Sequence, residues 1–84
     1  MAEYEIKVLG AGCEDCHNMF NYVEKEVAER GIDADVIYNT NILEITEAYE
    51  YLRLPAILVD DIAVVKGKML NEEEVHALFD QMDL

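Results

Sequence analysis

Two cysteines, Cys13 and Cys16, are the residues of this 84-residue sequence whose type and spacing point to chemistry. A Cys-x-x-Cys pair can exchange with a disulfide, one thiolate attacking and the other displacing the product. It can also bind a soft metal such as Cu(I) or Zn. It cannot act as a structural staple, because the loop it closes is too small to constrain the unfolded chain much. The string runs on into His17, so Cys13-Glu14-Asp15-Cys16-His17 is formally a c-type haem attachment sequence. The sequence starts without an export segment and a helical pattern follows the string directly, and both argue against haem.

Position says more than spacing. Cys13 closes the turn Gly10-Ala11-Gly12, and Cys16 falls in the first turn of the helical pattern. A thiolate at Cys13 faces the unpaired amides and the positive end of the helix dipole. Such surroundings lower a thiol pKa from about 8.5 and make the sulfur a nucleophile. Cys16, more inward, is placed to resolve the mixed disulfide that Cys13 forms. Three neighbours should tune the pair. Glu14 and Asp15 raise the Cys13 pKa by like-charge repulsion, and His17, four residues on, opposes them when protonated. The two carboxylates are expected to prevail above pH 7, which favours the disulfide and makes the protein a reductant.

The elements that must hold these sulfurs follow from periodicity. Tyr4 to Leu9 alternates, with Tyr4, Ile6 and Val8 on one side and Glu5 and Lys7 on the other, and reads as a half-covered strand. From Cys13 to Arg30 an apolar stripe of Cys16, Met19, Phe20, Val23, Val27 and Ala28 predicts a helix. Glu24, Lys25, Glu26, Glu29 and Arg30 are assigned to its solvent face, and Gly31 to its stop. Ile32 to Tyr38 predicts a second strand. Asn41 with Glu44 forms a capping-box pattern for a second helix striped by Ile42, Ile45, Tyr49 and Leu52. That helix must end by Leu54, because Pro55 disfavours helical backbone in the residue before it. Residues 56–59 and 62–65 predict a hairpin turning at Asp60-Asp61. Asn71 with Glu74, and Leu70 with Val75, predict a capped and stapled last helix whose apolar face is Val75, Leu78, Phe79 and Met82. The expected fold class is α/β: a single domain over residues 1–84, β-α-β-α-β-β-α, with a four-stranded mixed sheet and three helices.

Gly10-Ala11-Gly12-Cys13-Glu14-Asp15-Cys16 after the first strand, with Leu54-Pro55-Ala56 entering the hairpin, resembles the thioredoxin/glutaredoxin superfamily, above all its small archaeal-type thioredoxin-like proteins. The resemblance covers residues 5–79 and keeps the element order. It implies a thioredoxin-like fold, a cis Pro55 facing the sulfurs, and a substrate groove lined by Gly12, Leu54 and Pro55. It also implies protein disulfides as substrates, a separate and plausibly flavin-dependent reductase as electron donor, and no bound cofactor beyond the redox-active Cys13–Cys16 pair. The expected potential lies nearer about −270 mV than the about −120 mV of strong oxidants. The sequence departs from larger thioredoxins in three places. Gly12 replaces a tryptophan, Glu14-Asp15 replaces Gly-Pro, and Lys7 stands where an acidic residue often helps deprotonate the resolving thiol. Glutathione-binding features are missing.

Composition narrows the partners. Nineteen acidic residues against 6 basic ones give a net charge of −13, which repels phosphate backbones and anionic lipid, so neither nucleic acid nor membrane is expected. No apolar run approaches the roughly 20 residues of a membrane span. With no secretory segment before Tyr4, a cytoplasmic monomer is expected. A copper or zinc carrier using the same thiols remains the alternative, since Gly-x-x-Cys-x-x-Cys also resembles heavy-metal-associated domains; those run β-α-β-β-α-β and end in a strand. A docking module in which the thiols are incidental is the third class. His76 reads as a solvated helix residue, Lys7 as the exposed side of its strand, and Met19 and Met82 as core.

Overall fold

The two periodicities resolve into seven elements: β1 (Tyr4–Leu9), α1 (Glu14–Arg30), β2 (Ala34–Asn39), α2 (Ile42–Ala48), β3 (Ala56–Val59), β4 (Ile62–Lys66) and α3 (Glu72–Met82). The computed structural model describes residues 2–49 and 52–84. The fold is the expected α/β arrangement, a four-stranded mixed sheet in the order β2-β1-β3-β4 with three helices. β1 pairs with β2 in parallel, as a strand–helix–strand crossover requires, and with β3 antiparallel; β3 and β4 form the hairpin. A helix, α2, follows β2, which separates the fold from the β-α-β-β-α-β order. Among the described residues no helix is long and apolar enough to cross a membrane.

The sheet is covered on both faces, where the sequence pattern suggested one. The larger core joins Ile6, Val8 and Ile57 to Met19 and Val23 of α1 and to Val75 and Phe79 of α3. A smaller core on the opposite face gathers Leu9, Ile45, Ala56 and Leu58, with Tyr49 and Leu52 packed against it. Alternation along β1 explains the split, since Leu9 points away from Val8. Lys7 shares the α2 side. It is not the free surface residue expected: its ammonium hydrogen-bonds Tyr49 Oη at 3.0 Å and Asp61 at 3.2 Å, and pairs with Glu5 at 3.1 Å. These bonds, Tyr49 first, hold its pKa above the ordinary value.

The termini of the elements follow their caps. In α3 the full capping box forms, Asn71 Oδ1 accepting from the Glu74 amide and the Glu74 carboxylate accepting in turn from the Asn71 amide. In α2 only half of it does. Asn41 accepts from the Glu44 amide, but Glu44 takes its bond from the Asn39 side chain, while the Asn41 amide is taken by Asn39 Oδ1. α2 stops at Ala48, so Leu52 packs from outside the helix. β2 begins at Ala34 and not Ile32. Asp60 and Asp61 both take left-handed backbone, φ 51° and 66°, which a two-residue turn matched to strand twist needs.

The clearest correction in α1 is Glu26. Assigned to the solvent face, it is buried at 5% exposure. Its carboxylate accepts from Arg30 Nε at 2.9 Å and lies 2.9 Å from His76 Nδ1 of α3. Arg30 also reaches Asp80 at 2.6 Å and the carbonyl of Leu84 at 3.2 Å. His76 is exposed, yet it belongs to this α1–α3 clasp and is not a freely solvated side chain. Burial favours the neutral acid of Glu26, but the bonds from Arg30 and His76 outweigh it and hold the pKa below the usual carboxylate range.

Candidate active site

Both sulfurs stand where strand β1 hands over to helix α1. Cys13 is the helix N-cap, in extended backbone, and its Sγ accepts from the Cys16 amide at 3.3 Å. This is the place a serine or aspartate oxygen takes in other caps. Its carbonyl receives the His17 amide at 3.0 Å. Cys13 is exposed and Cys16 is buried at 2%, and the two Sγ atoms lie 2.8 Å apart. One thiol therefore faces solvent and the other backs it from within.

The surroundings press the two ionisations apart. The Cys16 thiol and the Cys16 amide hold the Cys13 pKa below the ordinary thiol value, against slight desolvation and the charge of Asp15. For Cys16, burial comes first and pushes its pKa up, and the neighbouring Cys13 sulfur adds to it. This reverses the expected sign at Cys13 and removes the charge argument for a reducing potential. The carboxylate of Asp15 loses to two hydrogen bonds at contact distance. His17 does not sit over Cys13 as an alternative partner either. Its ring turns to Tyr38 and Phe20, with centroids 5.9 and 6.4 Å away.

The backing of the pair explains why the preceding loop is glycine-rich. A Cβ built on Gly10 would stand 2.8 Å from Cys16 Sγ and 3.1 Å from Cys16 Cβ, with Pro55 Cβ at 3.9 Å. Only a bare α-carbon lets the inner sulfur settle against the end of β1. Gly12, at φ 83°, takes left-handed backbone and lies beside Thr40 of the β2–α2 loop. The Leu54–Pro55 peptide is cis, the geometry the family resemblance implies. The carbonyls of Arg53 and Pro55 both accept from the Gly67 amide, at 3.1 and 2.9 Å, which ties the proline loop to the end of β4. Gly12, Pro55 and both cysteines thus meet at one end of the sheet. Leu54, half-buried, packs against the α2-side core.

Two residues of this neighbourhood were not singled out from the sequence. Gly10 read only as part of the turn before Cys13. Tyr38 read only as a strand residue, yet its ring stacks on Phe20 at 4.9 Å and 14°. Among the described residues no cluster of three or more His, Cys, Asp or Glu side chains is arranged to hold a metal ion.

A helix that caps itself with one thiol and buries a second behind it, inside a β-α-β-α-β-β-α frame, defines a dithiol protein of thioredoxin-like class. Comparison with known sequences agrees. The model of the thioredoxin domain family matches residues 4–80. The chain is 36% identical over 70 residues to a thioredoxin of Methanocaldococcus jannaschii, covering 83% of this chain and 79% of that one. It is 30% identical over 71 residues to a thioredoxin of Methanothermobacter thermautotrophicus, covering 84% and 91%. The chain belongs to the thioredoxin family, in its archaeal type, and a thioredoxin-like redox function goes with that membership.

Proposed function

We propose that this protein reduces disulfides in other proteins by thiol–disulfide exchange through Cys13 and Cys16. The observation that carries the reading is the exposed sulfur at the α1 cap, held toward its thiolate, with a buried thiol 2.8 Å behind it. The Cys13 thiolate attacks one sulfur of the substrate disulfide, whose other sulfur leaves as a thiolate. Cys16 then loses its proton and attacks Cys13 Sγ, and the second substrate sulfur departs. The substrate gains two electrons and the pair becomes a disulfide. The electrons reside in the dithiol, so no bound cofactor is required; a separate reductase, flavin-dependent by family precedent, restores it.

Gly12, Leu54 and Pro55 line the groove in this reading. Ile42 and Leu43, exposed at the start of α2 beside the Thr40 loop, extend an apolar surface toward a protein substrate. The protein acts as a single-domain monomer in the cytoplasm. Insulin reduction driven by dithiothreitol tests the reading: it is expected in the native protein and abolished by Cys13→Ser or Cys16→Ser. Persistence in Cys13→Ser overturns it, and so does a stoichiometric metal that survives purification under reducing conditions and is lost in that variant. Cys16→Ser, which halts at the mixed disulfide, should capture the substrates.

A further inference from the structure

The exposed sulfur of Cys13 shares its surface with an apolar step. Gly12, just before it, lies beside Thr40, and shortly after Thr40 the side chains of Ile42 and Leu43 stay 43% and 78% exposed. Ile45 is the buried residue of α2, so Leu43, two positions away, turns outward. Asn39 ties this stretch to the dithiol loop. Its carbonyl accepts from the Gly10 amide at 3.2 Å, its Oδ1 accepts from the Asn41 amide at 2.9 Å, and its Nδ2 donates to Glu44 at 3.2 Å. An exposed apolar surface continuous with a nucleophilic sulfur, and held to it by hydrogen bonds, fits a protein partner.

Charge says which kind of partner. Residues 8–24 and 31–52, which carry the dithiol, the β2–α2 loop and α2, contain no Lys or Arg. Glu14 and Asp15 follow Cys13, and Glu44 and Glu47 accompany Leu43; all four are exposed. Of the six basic residues, Lys7, Lys25, Arg30 and Lys68 pair with carboxylates. Arg53 and Lys66 belong to the β3–β4 side of the sheet, away from the β2 edge that leads into Thr40. A second copy of this chain, at −13, would set like charges against each other. We propose that Ile42 and Leu43 dock protein substrates whose disulfide is flanked by an apolar side chain and by Lys or Arg. The apolar side chain covers Leu43, and the cations face Glu44 and Glu47. Apolar contact supplies adhesion, while charge supplies approach rate and orientation. The chemistry is that of the exchange: Cys13 Sγ bonds to one substrate sulfur, and the other leaves as a thiolate with the electron pair.

The inference rests on the exchange reading, and the test separates the two. Reduced protein is mixed with peptides that carry one leucine and one cysteine blocked as its 2-thiopyridyl disulfide, flanked by lysines, serines or glutamates. Attack by Cys13 on the peptide sulfur releases 2-thiopyridone, and each rate is divided by that with β-mercaptoethanol, which reads the peptide's own reactivity. At low salt the lysine peptide should outpace the glutamate peptide by about ten-fold or more, and at high salt by less than about two-fold. Glu44→Gln with Glu47→Gln keeps an oxygen for the Asn39 bond and should shrink the low-salt gap by at least about two-fold. Leu43→Ser should slow the leucine-bearing lysine peptide by about three- to ten-fold more than one bearing serine in its place. Equal normalised rates for the three peptides overturn the proposal, and so does a gap that the double substitution leaves unmoved. A dimer in sedimentation that Leu43→Ser abolishes overturns it too, giving the surface to a second copy. Absence of any release that depends on Cys13 overturns the exchange reading itself.

Discussion

Gly10→Ala puts the packing behind the inner sulfur to a quantitative test. The added methyl would meet Cys16 Sγ at 2.8 Å and Cys16 Cβ at 3.1 Å, where ordinary contact begins near 3.4 Å. Gly10 is itself buried, and Cys16 is anchored in the first turn of α1, so the strain cannot be released into solvent. Forcing one methylene into a packed interior costs about 1–3 kcal/mol. For a domain of this size each kcal/mol lowers the melting midpoint by about 4–8 °C, so a fall of about 8–16 °C is expected at the middle of that range. The cause can be isolated with a double-mutant cycle. Cys16→Ala removes the sulfur that the methyl strikes, and in that background Gly10→Ala should cost at least about 1 kcal/mol less. Chemical or thermal unfolding of the four reduced proteins measures the coupling. A neutral Gly10→Ala, or additive costs across the cycle, would refute the claim that the glycine exists to seat the sulfur.

Two further outcomes follow from charge. Asp15→Asn removes a carboxylate that opposes the Cys13 thiolate, so alkylation of Cys13 by iodoacetamide near neutral pH should quicken by about two- to five-fold at low salt and converge with the native rate in high salt. Glu26 has its folded pKa depressed below the unfolded value, so its contribution is present above about pH 4.3 and is lost as pH falls through the folded pKa. Glu26→Gln should therefore destabilise the protein at pH 7 by about 1.5–3 kcal/mol and flatten the acid limb of its stability profile, which denaturant unfolding between pH 2 and 7 would register.

The elements were most legible where period and caps agree, as in α3. Asn71, Glu74, Leu70 and Val75 define the start of α3 from four positions at once, and the structure places all four as the pattern requires. Where two acceptors compete, the pattern loses its authority. Glu44 stands at the right spacing from Asn41, but Asn39 offers the same carboxylate a donor and the same amide an acceptor, so the box is only half made. Glu26 shows the other limit. A helical wheel sorts residues by one helix alone, and it cannot register that α3 will bring His76 to a carboxylate that Arg30 already holds. The second core was hidden for a related reason. Leu9 is one apolar residue at the end of an alternating strand, and its burial depends on α2 folding back over that face.

At the dithiol the spacing in the sequence anticipates that the two sulfurs come together but misjudges their electrostatics, and distance explains why. Charges one or two residues away along a solvent-exposed turn act through water and fall off with screening. A thiol at 2.8 Å and an amide at 3.3 Å act directly on the sulfur. Counting acidic neighbours therefore overweights Glu14 and Asp15 and omits the Cys16 thiol and amide, the groups that hold Cys13 toward its anion. The same contact raises the cost of ionising Cys16, which is already desolvated. In the proposed exchange, a pair built this way eases the first attack and shifts the difficulty to the resolving step. Gly10, packed against that inner sulfur, is then the residue through which its rate should be tuned.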